Sequence, residues 1–215
     1  RRLNTFLDLQ LKLYSQVDAE ETALLYAATA LGVSQSPQGL FHLHGSMQVL
    51  SDRLVASLKH DGGQLRMRHR GESIHVEHGV VTGVTVQNIK TGDRTFEAAD
   101  HVIANVTVQN LVQLLGKDAP LGYRKRVDKL PQASGAFVVY LGVDAAAIPK
   151  DCPPHLQFLY DDDGPIGENN SLFVSVSQPG DGRAPTDKAT ITASSFTNPR
   201  LWSQTEDYEA LKAQY

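Results

Sequence analysis

The spacing between apolar residues changes at Gly62-Gly63, and this change constrains the fold more than any other feature of the sequence. Before this point, apolar side chains recur every three or four residues, which is the spacing of amphipathic helices. After it, short apolar or alternating stretches are separated by turn residues, as in a meander of strands. The sequence therefore predicts an α+β chain in which helices come first and strands dominate afterwards.

The helical part predicts three helices. The first covers residues 3–15. The second opens at Asp18, where Glu21 completes a capping box, and stops at Gly32. The third begins at Gly45-Ser46 and ends at the glycine pair. Two further helices are predicted at residues 108–115 and 122–130. Another helix is predicted from Thr205 onward, and it has no C-terminal stop signal, as in an interrupted helix. Since the sequence also begins with Arg1, we expect the chain to be a segment of a longer protein.

The strand-rich part predicts nine strands, at residues 64–68, 73–77, 80–87, 94–98, 101–104, 134–143, 156–160, 171–177 and 188–196. The last two carry an apolar face and a face of small hydroxyl side chains. These are Ser175, Ser177, Thr190, Thr192 and Ser194. Small polar side chains leave room above a sheet, so this face is either the floor of a ligand cavity or exposed to solvent.

Composition and motifs exclude several classes of protein. The net charge of −4 argues against a nucleic-acid-binding protein. Cys152 is the sole cysteine, so no internal disulfide or cysteine zinc site can form. His42 and His44 lack a neighbouring carboxylate, so we expect no metal site. Residues 23–31 are the longest apolar-leaning stretch and are too short to cross a bilayer. Without a visible signal peptide, we expect a location in the cytoplasm or at the periphery of a membrane.

No phosphate-binding or catalytic motif stands out. Gly180-Asp181-Gly182 has the first half of the G-x-G-x-x-G fingerprint, but Pro185 occupies the place of the third glycine. No set of serine, histidine and aspartate, or of cysteine and histidine, can be assembled. The residues alone therefore leave the catalytic groups unknown.

One ordered series of short motifs is more specific. It runs through His44-Gly45-Ser46-Met47-Gln48-Val49-Leu50, Gly62-Gly63-Gln64-Leu65, Glu77-His78-Gly79-Val80-Val81-Thr82-Gly83-Val84, Phe96-Glu97-Ala98-Ala99-Asp100-His101-Val102-Ile103-Ala104-Asn105 and Phe137 to Gly142 with Asp144. The series resembles the middle of the phytoene desaturase and carotenoid isomerase branch of the FAD-dependent amine oxidase superfamily. With the N-terminal helices, the resemblance covers most of the chain.

The resemblance implies a flavoenzyme. Proteins of this branch bind FAD non-covalently and pass a hydride equivalent between the flavin and a long apolar polyene or related lipid. Their FAD domain is discontinuous, and its phosphate-binding fingerprint and second flavin motif would fall outside this segment. We therefore expect the isolated segment to be inactive and to hold FAD weakly or not at all.

The resemblance also implies a division of the chain. Residues 1–44 would be a helical part of the substrate domain. Residues 45–106 would be a partial FAD-binding domain made of a helix and a β-meander. Residues 107–215 would supply the substrate domain's mixed or antiparallel sheet with its helices.

Seven residues are carried over as expected site residues. Gly45 and Ser46 are expected to contact the cofactor, and His44 and Gln48 the substrate. The family has a second glycine where Ser46 stands, so the serine bears on how closely the backbone can approach. Three more cofactor contacts are expected. In the family, a valine at the position of Gly71 meets the adenine through its backbone. Ala104 and Asn105 match the strand end that faces the cofactor.

Two other functions stay open at this point. One is a non-enzymatic lipid or polyene carrier that uses the hydroxyl face of the sheet. The other is a flavin amine oxidase that acts on a small amine, which an aromatic cage around the flavin would mark. A weak peripheral contact with anionic lipid through Arg124-Lys125-Arg126 is compatible with each of them.

Overall fold

The computed structural model describes residues 2–37, 41, 43–131 and 133–215, except for the side chain of Ser34. Its helices are α1 (Arg2–Ser15), α2 (Leu24–Ser34), α3 (Gln48–His60), α4 (Val108–Leu115), α5 (Leu121–Val127), α6 (Pro199–Gln204) and α7 (Tyr208–Gln214). Its strands are β1 (His69–Glu77), β2 (Val80–Asn88), β3 (Arg94–Ala98), β4 (Gly135–Asp144), β5 (His155–Leu159), β6 (Ser171–Val176) and β7 (Lys188–Thr197). The predicted α+β class is confirmed.

The chain forms two compact units. The first contains Arg1–Leu54 and Ala133–Tyr215, and the second contains Val55–Gln132. The domain boundaries that the resemblance implies, at 44/45 and 106/107, refer to the architecture of a whole enzyme and stay a prediction.

The second unit is built on an antiparallel meander in the order β1-β2-β3. A turn at His78-Gly79 joins β1 to β2, and both residues have positive φ angles. Gly83 is closely approached by β3, since a Cβ there would stand 2.3 Å from the Glu97 carbonyl oxygen and 2.6 Å from the Phe96 ring. The glycine therefore lets the Phe96 ring cover β2. Helix α4 packs against β1.

The first unit is built on a four-stranded antiparallel sheet in the order β4-β7-β6-β5. Helix α1 lies against one face of this sheet, and the Gln157 side chain of β5 donates a 3.0 Å hydrogen bond to the Leu9 carbonyl oxygen. Helix α6 is fixed by Trp202, whose ring stacks on Phe137 of β4 with 5.4 Å between centroids. Trp202 therefore anchors α6 to the sheet.

The second predicted helix begins later than its capping box indicates. Asp18 precedes a short 3₁₀ turn at Ala19–Glu21, makes no side-chain cap, and pairs with Lys12 at 3.0 Å. The Ala19 N–H instead donates a 2.8 Å hydrogen bond to the Asp8 carboxylate of α1. Helix α2 then starts at Leu24 and continues through Gly32. The competing contacts with α1 therefore decide the boundary.

Two predicted strands are wrong. Residues 64–68 and 101–104 are not strands, because the three-stranded sheet ends at β1 and β3 and gives neither segment a backbone ladder. Arg66 instead forms an exposed ion pair with Glu97 at 2.6 Å. The side chain of Ile103 is 98% exposed. Apolar character alone therefore does not make a strand without a partner.

Candidate functional site

A tight turn precedes α3, and four of the expected site residues lie in this turn or at the first position of the helix. Gly45 and Ser46 have φ angles of +88° and +79°. The Ser46 N–H donates to the Leu43 carbonyl at 3.1 Å, and the Ser46 hydroxyl accepts from the Gln48 N–H at 3.3 Å. The turn thus brings His44, Gly45, Ser46 and Gln48 together at the start of the helix.

Ser46 occupies the position where the resembling family has a second glycine. Its φ of +79° lies in the left-handed region, which a glycine enters freely and a serine enters with strain of about 1 kcal/mol. The turn therefore keeps the backbone course that a glycine would favour, but adds a hydroxyl group. That hydroxyl can donate one hydrogen bond in addition to the one it accepts.

The loop after β6 holds this turn in place. The Gly45 N–H donates a 2.7 Å hydrogen bond to the carbonyl oxygen of Asp181. Gly182 comes so close that a Cβ on it would lie 3.0 Å from the Gly45 nitrogen and 3.4 Å from the His44 imidazole. The two backbones therefore pack directly on each other.

The loop is braced internally by the Asp181 carboxylate. It accepts from the Gln178 N–H at 2.7 Å, from the Arg183 N–H at 2.9 Å and from Arg183 Nε at 2.7 Å. Arg183 Nη2 also donates to the Val176 carbonyl at 3.1 Å, which ties the loop to the end of β6. The Asp181–Arg183 ion pair is largely buried, with side chains 12% and 21% exposed.

The electrostatics of Asp181 follow from these contacts. Burial alone would raise the pKa of the carboxyl. The backbone N–H groups of Arg183 and Gln178 and the Arg183 side chain stabilise its charge, so the pKa lies below its ordinary value. Asp181 is therefore an ionised brace at neutral pH.

The other three expected site residues lie in the second unit. Gly71 pairs with Val86 in β1, an edge strand, and a bulge follows it. A Cβ on Gly71 would meet only Val84, at an ordinary 3.7 Å. Ala104 and Asn105 lie in the irregular segment before α4. Their expected roles toward the cofactor stay predictions.

The polar side chains of the turn can form hydrogen bonds with a ligand. His44 and Gln48 are exposed, and the Gln48 amide donates to Asp52 at 2.8 Å. Together with the Ser46 hydroxyl they suit the carbonyl and ring-nitrogen edge of a flavin or a similar heterocycle. No three histidine, cysteine, aspartate or glutamate side chains converge as metal ligands in the described ranges. His42 lies outside the described residues.

Apolar side chains continue from the turn along α3. Met47, Leu50 and Leu54 share one stripe of the helix and are 67%, 45% and 62% exposed. The sequence predicts this stripe correctly, but these three side chains stay open to solvent. They offer an apolar surface beside the polar turn.

A small space lies between α1 and part of the four-stranded sheet. Its lining includes Leu9 and Leu13 of α1 and, from the hydroxyl face, Ser194, and its volume is about 40 Å³. Pockets for organic ligands are roughly 300–1,000 Å³. This space therefore fits water rather than a polyene.

The sequence analysis missed Asp181 and Arg183 as site residues. Two glycines around an aspartate do signal a tight loop, and both Gly180 and Gly182 have φ angles of +79°. The contact with Gly45, however, joins segments about 135 residues apart and has no local signal. The segment Gly180-Asp181-Gly182, which has only the first half of the phosphate-binding fingerprint, therefore forms a turn that hydrogen bonds of the Asp181 carboxylate stabilise.

No helix in the described part of the chain combines the length and the apolar character that crossing a bilayer requires. No protein-family model matches the chain. No curated protein sequence matches it either.

Among solved structures, the chain is similar to the crystal structure of an oxidoreductase from Methanosarcina mazei, with a TM-score of 0.66 and 18% sequence identity. The match covers 94% of this chain and 45% of the Methanosarcina chain. The FAD-complexed glycerol-3-phosphate dehydrogenase from Bacillus halodurans is 20% identical over 60% of this chain and 22% of that one, but its TM-score of 0.31 carries no argument. The chain therefore has the fold of part of the Methanosarcina oxidoreductase and spans less than half of that protein's length.

Proposed function

We propose that these residues are the central portion of an FAD-dependent oxidoreductase that desaturates or isomerises a carotenoid-like polyene. The observation that carries this proposal is the fold likeness to the Methanosarcina oxidoreductase over 94% of the chain. The order of the short motifs, which resembles the phytoene desaturase branch, adds the cofactor and the class of substrate.

The turn before α3 supplies the polar contacts in this proposal. FAD, when bound, supplies the hydride-accepting ring. The Ser46 hydroxyl would hold the flavin edge, which would approach the Gly45–Ser46 backbone closely, and His44 and Gln48 would face the substrate. The Gly71 backbone would meet the adenine, and Ala104 and Asn105 would face the cofactor. Hydride transfer from a polyene needs positioning and exclusion of water more than an acid–base pair.

The exposed stripe of α3 supports an apolar substrate. Met47, Leu50 and Leu54 together present apolar surface next to the turn. Each Å² of that surface which a polyene covers contributes roughly 25 cal/mol. Substrate affinity would therefore come from burial rather than from charge.

The two rival functions have less support. A polyene carrier would need a cavity, and the space under α1 is about 40 Å³. An amine oxidase would need an open aromatic cage. The cluster of Phe137, Trp202, Tyr208 and Tyr215 packs ring against ring, with 5.1–5.9 Å between centroids, and leaves no cage.

Peripheral membrane contact belongs to the proposal as a weak interaction. In α5, Arg124 donates to the Gly116 carbonyl and Arg126 lies over the Tyr123 ring at 6.0 Å. Three charges, two of them engaged within the chain, give a weak anchor.

The substrate class can be tested on the natural polypeptide that contains these 215 residues. We would mix it anaerobically with phytoene in lipid vesicles, with empty vesicles, or with a small amine, and follow bleaching of the flavin. Bleaching by phytoene alone supports the proposal in its desaturase form, because isomerisation leaves the oxidation state of the flavin unchanged. Bleaching by the amine alone would replace it with the amine oxidase. A polypeptide without flavin that retains the polyene would establish a carrier.

A further inference from the structure

The loop at residues 178–183 contacts the turn before α3 directly. The Asp181 carbonyl accepts the Gly45 N–H at 2.7 Å, so this N–H is fully used inside the protein. Gly182 packs on both Gly45 and His44. A shift of the loop by a few tenths of an ångström would therefore move the turn.

The loop is also stiff enough to act as a support. The Asp181 carboxylate accepts three hydrogen bonds of 2.7–2.9 Å from within the loop, and Arg183 links it to the end of β6 through Val176. Arg183 thereby connects the four-stranded sheet to the turn by a continuous path of short contacts. A loop without these bonds would leave the turn's strained backbone unsupported.

We propose that the Asp181–Arg183 loop is a positioning element that sets the place of the His44–Ser46 turn against the flavin. The part of this inference that concerns the flavin rests on the proposed function. The coupling between the loop and the turn rests on their contacts alone. Asp181, Gly182 and Arg183 are positioning residues and touch no reacting atom.

The chain offers a matched pair of glycines for the test. Gly180 and Gly182 lie in the same loop and have the same φ angle of +79°, so alanine costs the same backbone strain at either place. A Cβ at Gly180 meets nothing within 4 Å, whereas a Cβ at Gly182 lies 3.0 Å from the Gly45 nitrogen. The difference between Gly182→Ala and Gly180→Ala therefore isolates the contact with the turn.

The experiment compares both variants in the FAD-loaded natural polypeptide. Amide hydrogen exchange at Gly45 reports the coupling, and visible circular dichroism of the bound flavin reports its surroundings. In Gly182→Ala we expect about tenfold faster exchange at Gly45, the size of one lost hydrogen bond, and a changed flavin spectrum. In Gly180→Ala we expect neither. Arg183→Gln, which removes the ion pair without adding bulk, should reproduce both changes if Gly182→Ala does not fold.

The outcomes distinguish a failure of the positioning role from a failure of the proposed function. Unchanged Gly45 exchange in both Gly182→Ala and Arg183→Gln would overturn the positioning role and leave the proposed function standing. Faster exchange with an unchanged flavin spectrum would overturn the position of the turn at the flavin. If the natural polypeptide takes up no FAD, the exchange is measured without it, and faster exchange in the variants would then keep the coupling of loop and turn and overturn the proposed function.

Discussion

At the scale of single residues, Ser46 is the most informative position. Its positive φ shows that the turn keeps a glycine-like backbone although a serine is present. The sequence indicated the turn, because Gly45 and the start of α3 are local signals. It could not indicate the Asp181 contact, since the partner lies on a distant loop.

Replacing Ser46 separates backbone strain from the side-chain hydrogen bond. Ser46→Ala keeps the backbone strain and loses the hydrogen bond from the Gln48 N–H. We therefore expect its free energy of unfolding to be about 1 kcal/mol lower than that of the natural protein. Ser46→Gly loses the same bond but relieves the strain, and should be about 1 kcal/mol more stable than Ser46→Ala. Urea unfolding of the three proteins measures this order. Equal stability of the two variants would show that the turn is unstrained.

The low pKa of Asp181 gives a prediction on acid stability. A carboxyl whose pKa is lower in the folded state stabilises the fold above its unfolded pKa of about 3.9. This contribution is lost as the pH falls through the folded value. We therefore expect Asp181→Asn to flatten the fall in Tm below about pH 4. Thermal scans at a series of pH values measure this dependence of Tm on pH. Asp162→Asn, at an exposed turn, is the control. Parallel curves of Tm against pH for the natural protein and both variants would contradict the prediction.

At the scale of elements, strands with hairpin partners were predictable and strands without them were not. β2, β3 and β7 follow from alternation and flanking turns, and their ends agree with the structure to within a residue. Residues 101–104 have the apolar character of a strand but no neighbouring ladder among the described residues. Helix α2 was misplaced at its start because contacts with Asp8 and Lys12 outweigh a local cap.

The meander depends on the missing side chain of Gly83. In Gly83→Ala the new Cβ would collide with the Glu97 carbonyl at 2.3 Å, so we expect a loss of about 2 kcal/mol or more. Gly71→Ala in the neighbouring strand places its Cβ at an ordinary 3.7 Å from Val84, and should change stability by less than about 0.5 kcal/mol. Urea unfolding compares them. Similar losses at both positions would show that close approach is not what requires glycine at 83.

Helix α6 depends on Trp202 through two separate interactions. Its ring stacks on Phe137, and its Nε1 donates to the Thr197 hydroxyl at 3.0 Å. Trp202→Phe keeps an aromatic ring and should cost about 1 kcal/mol for the lost hydrogen bond. Trp202→Ala should cost about 3 kcal/mol, the low end for a large aromatic residue, because the side chain is only half-buried. Equal losses in equilibrium unfolding would mean that the stacking contributes nothing.

At the scale of the whole molecule, much apolar surface is open among the described residues. Leu24, Leu25 and Ile103 are 84%, 82% and 98% exposed, and no described side chain is completely enclosed. The sequence predicts the α+β class and the stripe of α3, but it cannot tell which apolar faces pack within these residues. Open apolar surface of this extent agrees with our proposal that the chain works within a larger flavoenzyme.

The measurement that tests the central claim most directly is the flavin content of the natural polypeptide that contains these residues. The purified protein would be denatured, and the released flavin would be identified and counted against polypeptide. Our account predicts one non-covalently bound FAD per polypeptide, and weak or no binding of FAD by the isolated 215-residue chain. A folded natural polypeptide that contains no flavin, and takes up none when FAD is added, would contradict the account.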